Sequence, residues 1–296
     1  MQLFFVEDIE SDICTLSEEE STHCVKVLRM AAGDELYITD GRGTLCRCHV
    51  VDAHPKHCSV AVAERMERYG QRSFRLHLAV APTKNSARIE WLVEKAIEMG
   101  VEIVEIDVRK TLGGELILHH NPVLFRPAGA PTLEEALLAA KGRVLINLDK
   151  AFGLFDEVME VAERTGTVEQ IIIKSSREAH QVLKVLGPYR DRVIFMPIVN
   201  LNQHWSIAKV EAYVKKLDPK IYELTFADDT NPQLTIVRAR LAGRSRIWYD
   251  SLWPSLCGGH DDAKPLDDGI GWLIDNGAGA IQTDIPREMI EYMKTR

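Results

Sequence analysis

The sequence predicts an α/β protein in which a (β/α)8 TIM barrel follows a small β-barrel. From residue 76 onward, short apolar runs alternate with helical patterns, and strands separated by helices pair in parallel. Before that point, short alternating runs are separated by turn residues, which is typical of a small β-domain. A chain of 296 residues is long enough for about two domains. We therefore expect one domain at residues 1–73 and a second at residues 74–296.

The first domain contains a clear hairpin signal. The alternating runs Glu35–Thr39 and Leu45–Val51 flank a glycine-containing turn, and a third strand is expected at Cys58–Ala63. One helix is predicted from Ser17 to Met30. Ser17 is its expected N-cap, with Glu20 completing a capping box.

The second domain is expected to have eight strands, which suits a TIM barrel of about 220 residues. A doubly wound open sheet is the alternative. Helices are expected at 87–99, 152–165, 205–217 and 286–295. The predicted strands are Leu76–Val80, Val101–Val108, Val144–Asp149, Gln170–Ser176, Val193–Val199, Ile221–Phe226, Arg246–Leu252 and Ala280–Asp284.

Composition limits the classes of function. The formal net charge of -8 argues against a strong general affinity for nucleic acid, although a local basic patch remains compatible with it. No apolar run reaches the ~18 residues that a membrane span needs. The first ten residues lack the basic region of a secretory signal, so the cytoplasm is the expected location.

Cys46 and Cys48 should share one strand face, and reduced core thiols are favoured over a zinc site.

Several motifs in the first hundred residues resemble one family. They are Leu16-Ser-Glu-Glu-Glu-Ser-Thr-His23, Val27-Leu-Arg29, Gly33-Asp34, Thr39-Asp-Gly41, Ala81-Pro-Thr-Lys-Asn-Ser-Ala-Arg88, Glu90-Trp91 and Glu94-Lys-Ala96. Residues 1–99 thereby resemble the 16S rRNA uridine N3-methyltransferase family. The resemblance implies a PUA-like RNA-binding domain followed by the start of a SPOUT methyltransferase domain.

The cofactor-binding part of that family is missing from the sequence. Neither a Gly-Pro-Glu-Gly-Gly-type loop nor a Leu-Arg-x-Glu-Thr-Ala-type segment occurs, so no S-adenosylmethionine site is expected. The first piece is therefore interpreted as an RNA-binding module at most, and solvated surface cations are the alternative. The candidate RNA contacts are Lys26, Arg29, Arg42, Arg47, Lys84 and Arg88.

The chemistry of the second piece begins with Glu105 and Asp107. Residues two apart on a strand share a face, and two inward carboxylates are costly to bury without a cation. Oxygen ligands select Mg²⁺ or Ca²⁺. On spacing alone, a solvated strand end is the more common explanation of such a pair.

The surrounding motifs resemble the glycerophosphodiester phosphodiesterase family, whose fold is a TIM barrel. The resemblance runs from residue 97 to residue 296. The motifs that carry it are Glu105-Ile-Asp-Val-Arg-Lys-Thr111, Gly114-Glu-Leu-Ile-Leu-His-His120, Pro131-Thr-Leu-Glu-Glu-Ala136, Leu145-Ile-Asn-Leu-Asp-Lys150, Ile247-Trp-Tyr-Asp250, Leu252-Trp-Pro254 and Gly279-Ala-Ile-Gln-Thr-Asp284.

The resemblance implies a role for each matching residue. Glu105 and Asp107 match the family's metal-binding pair, and Asp149 stands where a third metal carboxylate is expected. His120 matches the catalytic histidine, and Lys150 is placed to contact a phosphate oxygen. Asn121 follows His120 where the family has Asp, which should weaken polarisation of the imidazole. His119 is interpreted as a bystander. Weaker site candidates are Glu223, Asp250, Asp284, Trp248, Trp253 and Trp272, with core or rim packing favoured for the tryptophans.

Two parts of the phosphodiesterase pattern are absent. The His-Arg-Gly strand and its Glu-Asn-Thr segment are replaced by Ala81–Asn85, and the stretch Phe125–Pro131 is short. The unit Leu76–Met99 would take the place of the first βα unit, with the join near Gly100. Loss of one acid–base partner typically costs ~10²–10⁴-fold in rate. We therefore expect metal-dependent hydrolysis of glycerophosphodiesters to glycerol 3-phosphate and an alcohol, weakened or lost. An rRNA-binding module with an inert barrel and a fusion without function are the alternatives.

Overall fold

The computed structural model describes residues 2–6, 9, 11–40, 44–67 and 101–296, and the backbone alone of residues 76–79. The chain divides into two compact units, Met1–Ser73 and Phe74–Arg296. The candidate contacts Arg42, Lys84 and Arg88, the predicted helix at 87–99 and the join at Gly100 lie outside the described residues. No helix in the described part of the chain is long and apolar enough to cross a membrane.

The first unit contains a five-stranded sheet in the order β1-β3-β4-β5-β2. The predicted hairpin is confirmed, since β3 and β4 pair antiparallel. A curled sheet is present, but no ladder joins β1 to β2 among the described residues, so a closed barrel stays a prediction. The strands are β1 (Leu3–Phe5), β2 (Ile13–Thr15), β3 (Glu35–Thr39), β4 (Leu45–Asp52) and β5 (Ser59–Met66).

The helix of this unit is shorter than predicted. Helix α1 covers Glu18–Thr22, and a π-helical turn follows at His23–Val27. Arg29 adopts a left-handed φ of 57°, which ends the helical path before Met30. Ser17 accepts the predicted hydrogen bond from the Glu20 amide at 3.2 Å. The reciprocal bond of the capping box is replaced, because Glu20 Oε1 accepts from the Phe5 amide instead.

Five cysteines form much of the core of the first unit. All five are buried and free, and Cys46 and Cys48 share a strand face as predicted. Cys24 Sγ lies 3.9 Å from Cys58 Sγ. Thiols here fill core volume as small apolar groups. The five are Cys14, Cys24, Cys46, Cys48 and Cys58.

The second unit is built on eight parallel strands in sequence order, with one short strand added antiparallel. A doubly wound sheet reverses its strand order at a switch point, and this sheet does not, so the doubly wound alternative is wrong. The Cα atoms of the two end strands come within 8 Å of each other. No ladder joins them among the described pairings, so barrel closure stays a prediction. The strands are β6 (Leu76–Ala79), β7 (Val101–Lys110), β8 (Leu116–Leu118, the antiparallel one), β9 (Leu145–Asp149), β10 (Ile171–Ser175), β11 (Ile194–Asn200), β12 (Ile221–Thr225), β13 (Arg246–Asp250) and β14 (Ala278–Gln282).

Helices occupy the connections between these strands and pack apolar faces on the sheet. Capping defines several of them: Thr132 forms a complete capping box with Glu135 at the first, which fixes where the helix begins. The helices are α2 (Leu133–Ala140), α3 (Phe155–Thr165), α4 (Ala179–Leu186), α5 (Ser206–Lys216), α6 (Pro232–Leu241), α7 (Trp272–Asp275) and α8 (Pro286–Thr295).

One face of the parallel sheet changes from apolar to charged along the strands. Near the strand beginnings lies a buried apolar cluster with members from β7, β10, β11, β12, β13 and β14. Two residues further along β7, β10, β12, β13 and β14, the same face carries polar side chains, because alternate residues share a face. The cluster consists of Ile103, Ile172, Met196, Ile221, Trp248 and Ala280. The charged layer, which follows it, consists of Glu105, Asn147, Lys174, Glu223, Asp250 and Gln282.

Candidate functional site

The charged layer lies at the carboxyl ends of the parallel strands, where α/β barrels carry their active sites. Glu105 and Asp107 project from β7 and Asp149 from β9, in paired register. The three residues predicted as metal ligands are therefore on neighbouring strands and on one face.

A hairpin brings His120 to this layer. Strand β8 folds back antiparallel on the end of β7, and the His119 amide donates to the Asp107 carbonyl at 3.1 Å. Arg109 fixes the turn by donating to the His120 carbonyl at 2.6 Å. His119 is partly exposed, with its Nδ1 2.8 Å from the Asn121 carbonyl, and its role as a solvent-facing bystander stays a prediction.

His120 takes a charged partner that the sequence did not indicate. Its Nδ1 lies 2.7 Å from Asp107 Oδ2, so the carboxylate partner of His120 comes from β7 and not from position 121. The side chain of His120 is 64% exposed, which leaves the outer ring edge open to solvent. A carboxylate at Nδ1 orients the ring and stabilises the imidazolium.

Lys150 completes this corner of the site. It follows β9 with a left-handed φ of 59°, a backbone conformation that is uncommon outside glycine and often occurs at functional positions. Its Nζ lies 2.5 Å from Asp107 Oδ1 and 3.8 Å from Asp149 Oδ2. Burial alone would raise the pKa of Asp107, but the hydrogen bonds from Lys150 and His120 outweigh it, and the pKa is lowered.

Lys174 on β10 is a site residue that the sequence reasoning missed. Its Nζ lies 3.1 Å from Glu105 Oε2, 3.3 Å from Glu223 Oε2 and 3.6 Å from Asp149 Oδ1. Burial would lower the pKa of Lys174, but the surrounding carboxylates outweigh it and raise the pKa. The sequence signal for this role is the position of the lysine inside the apolar run Ile171–Ser175. A charge in a buried strand needs a charged partner, so a lysine there indicates carboxylates nearby.

Glu105 is enclosed by donors. Asn147 Nδ2 donates to its Oε2 at 2.6 Å and Gln282 Nε2 to its Oε1 at 3.1 Å. Gln282 Oε1 in turn accepts from Trp248 Nε1 at 3.2 Å. Burial raises the pKa of Glu105 to about 7, against the opposing effect of Lys174.

The remaining candidates lie in different places. Glu223 and Asp250 belong to the charged layer, and burial raises the pKa of Asp250 to about 6. Trp248 is core packing, as favoured from the sequence. Trp272 stacks on His260, with the two ring centroids 3.8 Å apart, and Trp253 is exposed. The Asp284 amide donates to Asp262 Oδ2 at 2.9 Å, and Asp262 is not a member of the charged layer.

The predicted metal carboxylates do not fit a divalent cation as they stand. Lys174 lies between Glu105 and Asp149, and Lys150 lies against Asp107 and Asp149. Within the described ranges, no group of three His, Cys, Asp or Glu side chains could hold a metal ion. The role of these carboxylates as ligands of Mg²⁺ or Ca²⁺ therefore stays a prediction.

Two family profiles match parts of the chain. Residues 16–63 match a family described as an RNA methyltransferase PUA domain. Residues 195–293 match a domain of unknown function, and this range includes Glu223, Asp250 and Gln282.

Solved structures give two further kinds of similarity. A probable rRNA-methyltransferase from Porphyromonas gingivalis is 32% identical over 50% of this chain, with a TM-score of 0.33, and this chain covers 60% of its length. A protein assigned to the glycerophosphodiester phosphodiesterases from Galdieria sulphuraria is 15% identical over 75% of this chain and 98% of its own, with a TM-score of 0.55. A glycerophosphodiester phosphodiesterase from Parabacteroides distasonis ATCC 8503 is 14% identical over 75% and 98%, with a TM-score of 0.52.

These similarities fall on different regions, and they confirm the two-part resemblance predicted from the sequence. The chain joins a region similar to the RNA methyltransferase PUA domain to a mixed α/β region with the fold of glycerophosphodiester phosphodiesterases.

Proposed function

We propose that the second unit binds glycerophosphodiesters at the carboxyl ends of its strands and hydrolyses them slowly to glycerol 3-phosphate and an alcohol. The observation that carries this proposal is the contact of His120 and Lys150 with the two oxygens of one carboxylate, Asp107. The fold shared with glycerophosphodiester phosphodiesterases supports the substrate class.

The chain's own side chains provide part of the necessary chemistry. In hydrolysis, a water oxygen forms a bond to phosphorus, the bond to the headgroup oxygen breaks, and that oxygen gains a proton. With Nδ1 held by Asp107, His120 can accept a proton from water or give one to the leaving oxygen at Nε2. Lys150 retains donors to place against a phosphate oxygen while it contacts Asp107.

Slow turnover follows from having one such histidine rather than two. The phosphodiesterase pattern implies a second histidine on the His-Arg-Gly strand, which this sequence lacks. One residue must then serve both proton transfers, or water must perform one of them. Missing general acid–base catalysis typically costs ~10²–10⁴-fold.

The test is release of glycerol 3-phosphate from glycerophosphocholine by the full chain. We expect slow release that His120→Ala removes and His119→Ala leaves unchanged, since His119 faces the Asn121 carbonyl. Equal release by wild type and His120→Ala would exclude His120 from the reaction. A rate equal to that of a relative with a complete His-Arg-Gly strand would overturn the slow-turnover part of the proposal.

We propose RNA binding as a second function, located in the first unit. The match to an RNA methyltransferase PUA domain favours it. Lys26 and Arg29 are exposed, and neither forms an ion pair with a carboxylate of the described residues. Arg47 is less suited, because it pairs with Glu35 and Glu64.

An rRNA fragment provides the test of this second function. We expect binding that weakens with salt, because phosphate contacts release counterions. Lys26→Ala with Arg29→Ala should reduce both the affinity and the salt dependence. Lys56→Ala is the control, since Lys56 already pairs with Glu18 at 2.9 Å. Salt-independent binding, or equal loss in the control, would exclude Lys26 and Arg29 as phosphate contacts.

A further inference from the structure

We propose that Lys174 is the built-in cation of this site, with its ammonium in the place between Glu105, Asp149 and Glu223 where a divalent metal would otherwise bind. The inference rests on the proposed function only in assigning that site to phosphodiester chemistry. Whether Lys174 or a metal ion balances the charge of these carboxylates can be measured without substrate.

The position of Lys174 Nζ carries the proposal. Oxygens of Glu105, Glu223 and Asp149 lie within 3.6 Å of it, and they come from three different strands. The lysine side chain is 7% exposed. An ammonium group is a compact charge with three donors, so it can meet three convergent carboxylates as a bound metal ion would.

The surrounding polar groups fit an ammonium at this point. Glu105 Oε2 accepts from both Lys174 and Asn147, and its other oxygen accepts from Gln282. Both oxygens of Glu105 are therefore engaged by nitrogen donors. A metal ligated by Oε2 would have to displace Lys174 or Asn147.

One oxygen of the cluster depends on Lys174 alone. Glu223 Oε2 is buried and has no hydrogen-bond partner among the described residues. Its contact with Lys174 Nζ at 3.3 Å is therefore an ion pair without hydrogen-bond geometry. Removal of the lysine would leave this buried carboxylate uncompensated, which is strongly unfavourable.

The same geometry predicts what happens when the lysine is shortened. Lys174→Ala vacates the space between three carboxylate oxygens, which are the ligands that divalent cations such as Mg²⁺ and Mn²⁺ prefer. A metal ion should then enter. Lys174→Met removes the charge but keeps most of the side-chain volume, so it should leave little room for an ion.

Mn²⁺ titration of the full chain tests the proposal, with calorimetry for affinity and thermal unfolding for stability. We expect no stoichiometric Mn²⁺ site in wild type, and one site in Lys174→Ala that binds at least ~10-fold more tightly than wild type or Lys174→Met. Mn²⁺ should also raise the Tm of Lys174→Ala, because binding to the folded state stabilises it. Lys184→Ala is the control, since Lys184 is exposed on helix α4.

Two results would overturn the proposal. One is a stoichiometric Mn²⁺ site in wild type that disappears in Glu105→Gln, since the metal would then bind despite Lys174. The other is a folded Lys174→Ala protein that gains no Mn²⁺ site. If Lys174→Ala folds only when Mn²⁺ is present, that dependence supports the proposal. If it does not fold at all, the wild-type and Glu105→Gln titrations decide. None of these measurements requires hydrolysis, so an inactive protein would contradict the proposed function without affecting this inference.

Discussion

His120 Nδ1 and Asp107 Oδ2 lie 2.7 Å apart, across a hairpin that separates the two residues by 13 positions. The charged partner of His120 is therefore a residue of β7, and its sequence neighbour Asn121 does not have that role. Because the carboxylate orients the ring, the pair should matter more to activity than position 121.

Asp107→Asn should therefore reduce the rate of glycerol 3-phosphate release by ~10²-fold or more, since an amide brings no charge to stabilise the imidazolium. Asn121→Ala is the matched control and should change the rate little. The comparison is made on kcat with glycerophosphocholine. A larger loss in Asn121→Ala than in Asp107→Asn would show that the hairpin contact is not the catalytic one.

Lys150→Ala should raise KM more than it lowers kcat if Lys150 contacts a phosphate oxygen, because its ammonium would bind substrate and transition state alike. Lys150→Arg keeps the charge and should recover part of the affinity. The exposed Lys184 provides the control as Lys184→Ala. An unchanged KM in Lys150→Ala would remove Lys150 from the binding site.

Glu105 should make the stability of the second unit depend on pH. Its pKa is about 7, above its ordinary 4.5, so the folded state keeps a proton that the unfolded chain releases between these values. The free energy of unfolding should therefore fall as the pH rises through this window, by about 3 kcal/mol from this group. Above pH ~7 the contribution becomes constant.

Glu105→Gln tests this dependence by urea unfolding between pH ~4.5 and ~8. The variant has no carboxyl group to titrate at this position, so the difference in unfolding free energy between wild type and variant should follow the window. The exposed Glu160 supplies the control Glu160→Gln. A difference that does not change with pH would mean that Glu105 titrates as it does in the unfolded chain.

Gln282 links Trp248 to Glu105 by two hydrogen bonds, and the bond to Trp248 should be measurable as a coupling energy. Gln282→Leu removes the hydrogen bond that Gln282 Oε1 accepts from Trp248 Nε1, and a typical intramolecular hydrogen bond contributes about 0.5–1.5 kcal/mol. In a Trp248→Phe background the donor is gone, so the same change should cost less. A double-mutant cycle of unfolding free energies gives the difference. Strict additivity would show that the hydrogen bond contributes nothing to stability.

The order and approximate positions of the parallel strands in the second unit could be predicted from the sequence. Each buried parallel strand is a continuous apolar run bounded by polar residues, as in Ile171–Ser175 and Ile221–Thr225, and such runs can be located without spatial information. The sequential order of the parallel strands could also be predicted, because strands alternate with helices along the chain. Closure could not be predicted in the same way, since it depends on pairing between the first and last strands.

The site was only partly predictable, for a different reason. Glu105, Asp107 and Asp149 share a face because of strand periodicity and register, and both are readable from spacing. Lys174 and Gln282 reach Glu105 from other strands, and the choice of partner between strands depends on side-chain reach. His120 shows the same limit, because its adjacent Asn121 was the partner that the sequence indicated.

The thiol core of the first unit has a practical consequence. Burial, together with neighbouring thiols, raises the pKa of Cys24 and of Cys48 to about 12, so almost none of either group is thiolate at neutral pH. Thiolate is the form that alkylating reagents attack. Modification at these positions therefore requires the sheet to open, and the rate at which iodoacetamide labels Cys24 and Cys48 reports the unfolding of this unit, whereas Cys257 belongs to the second unit.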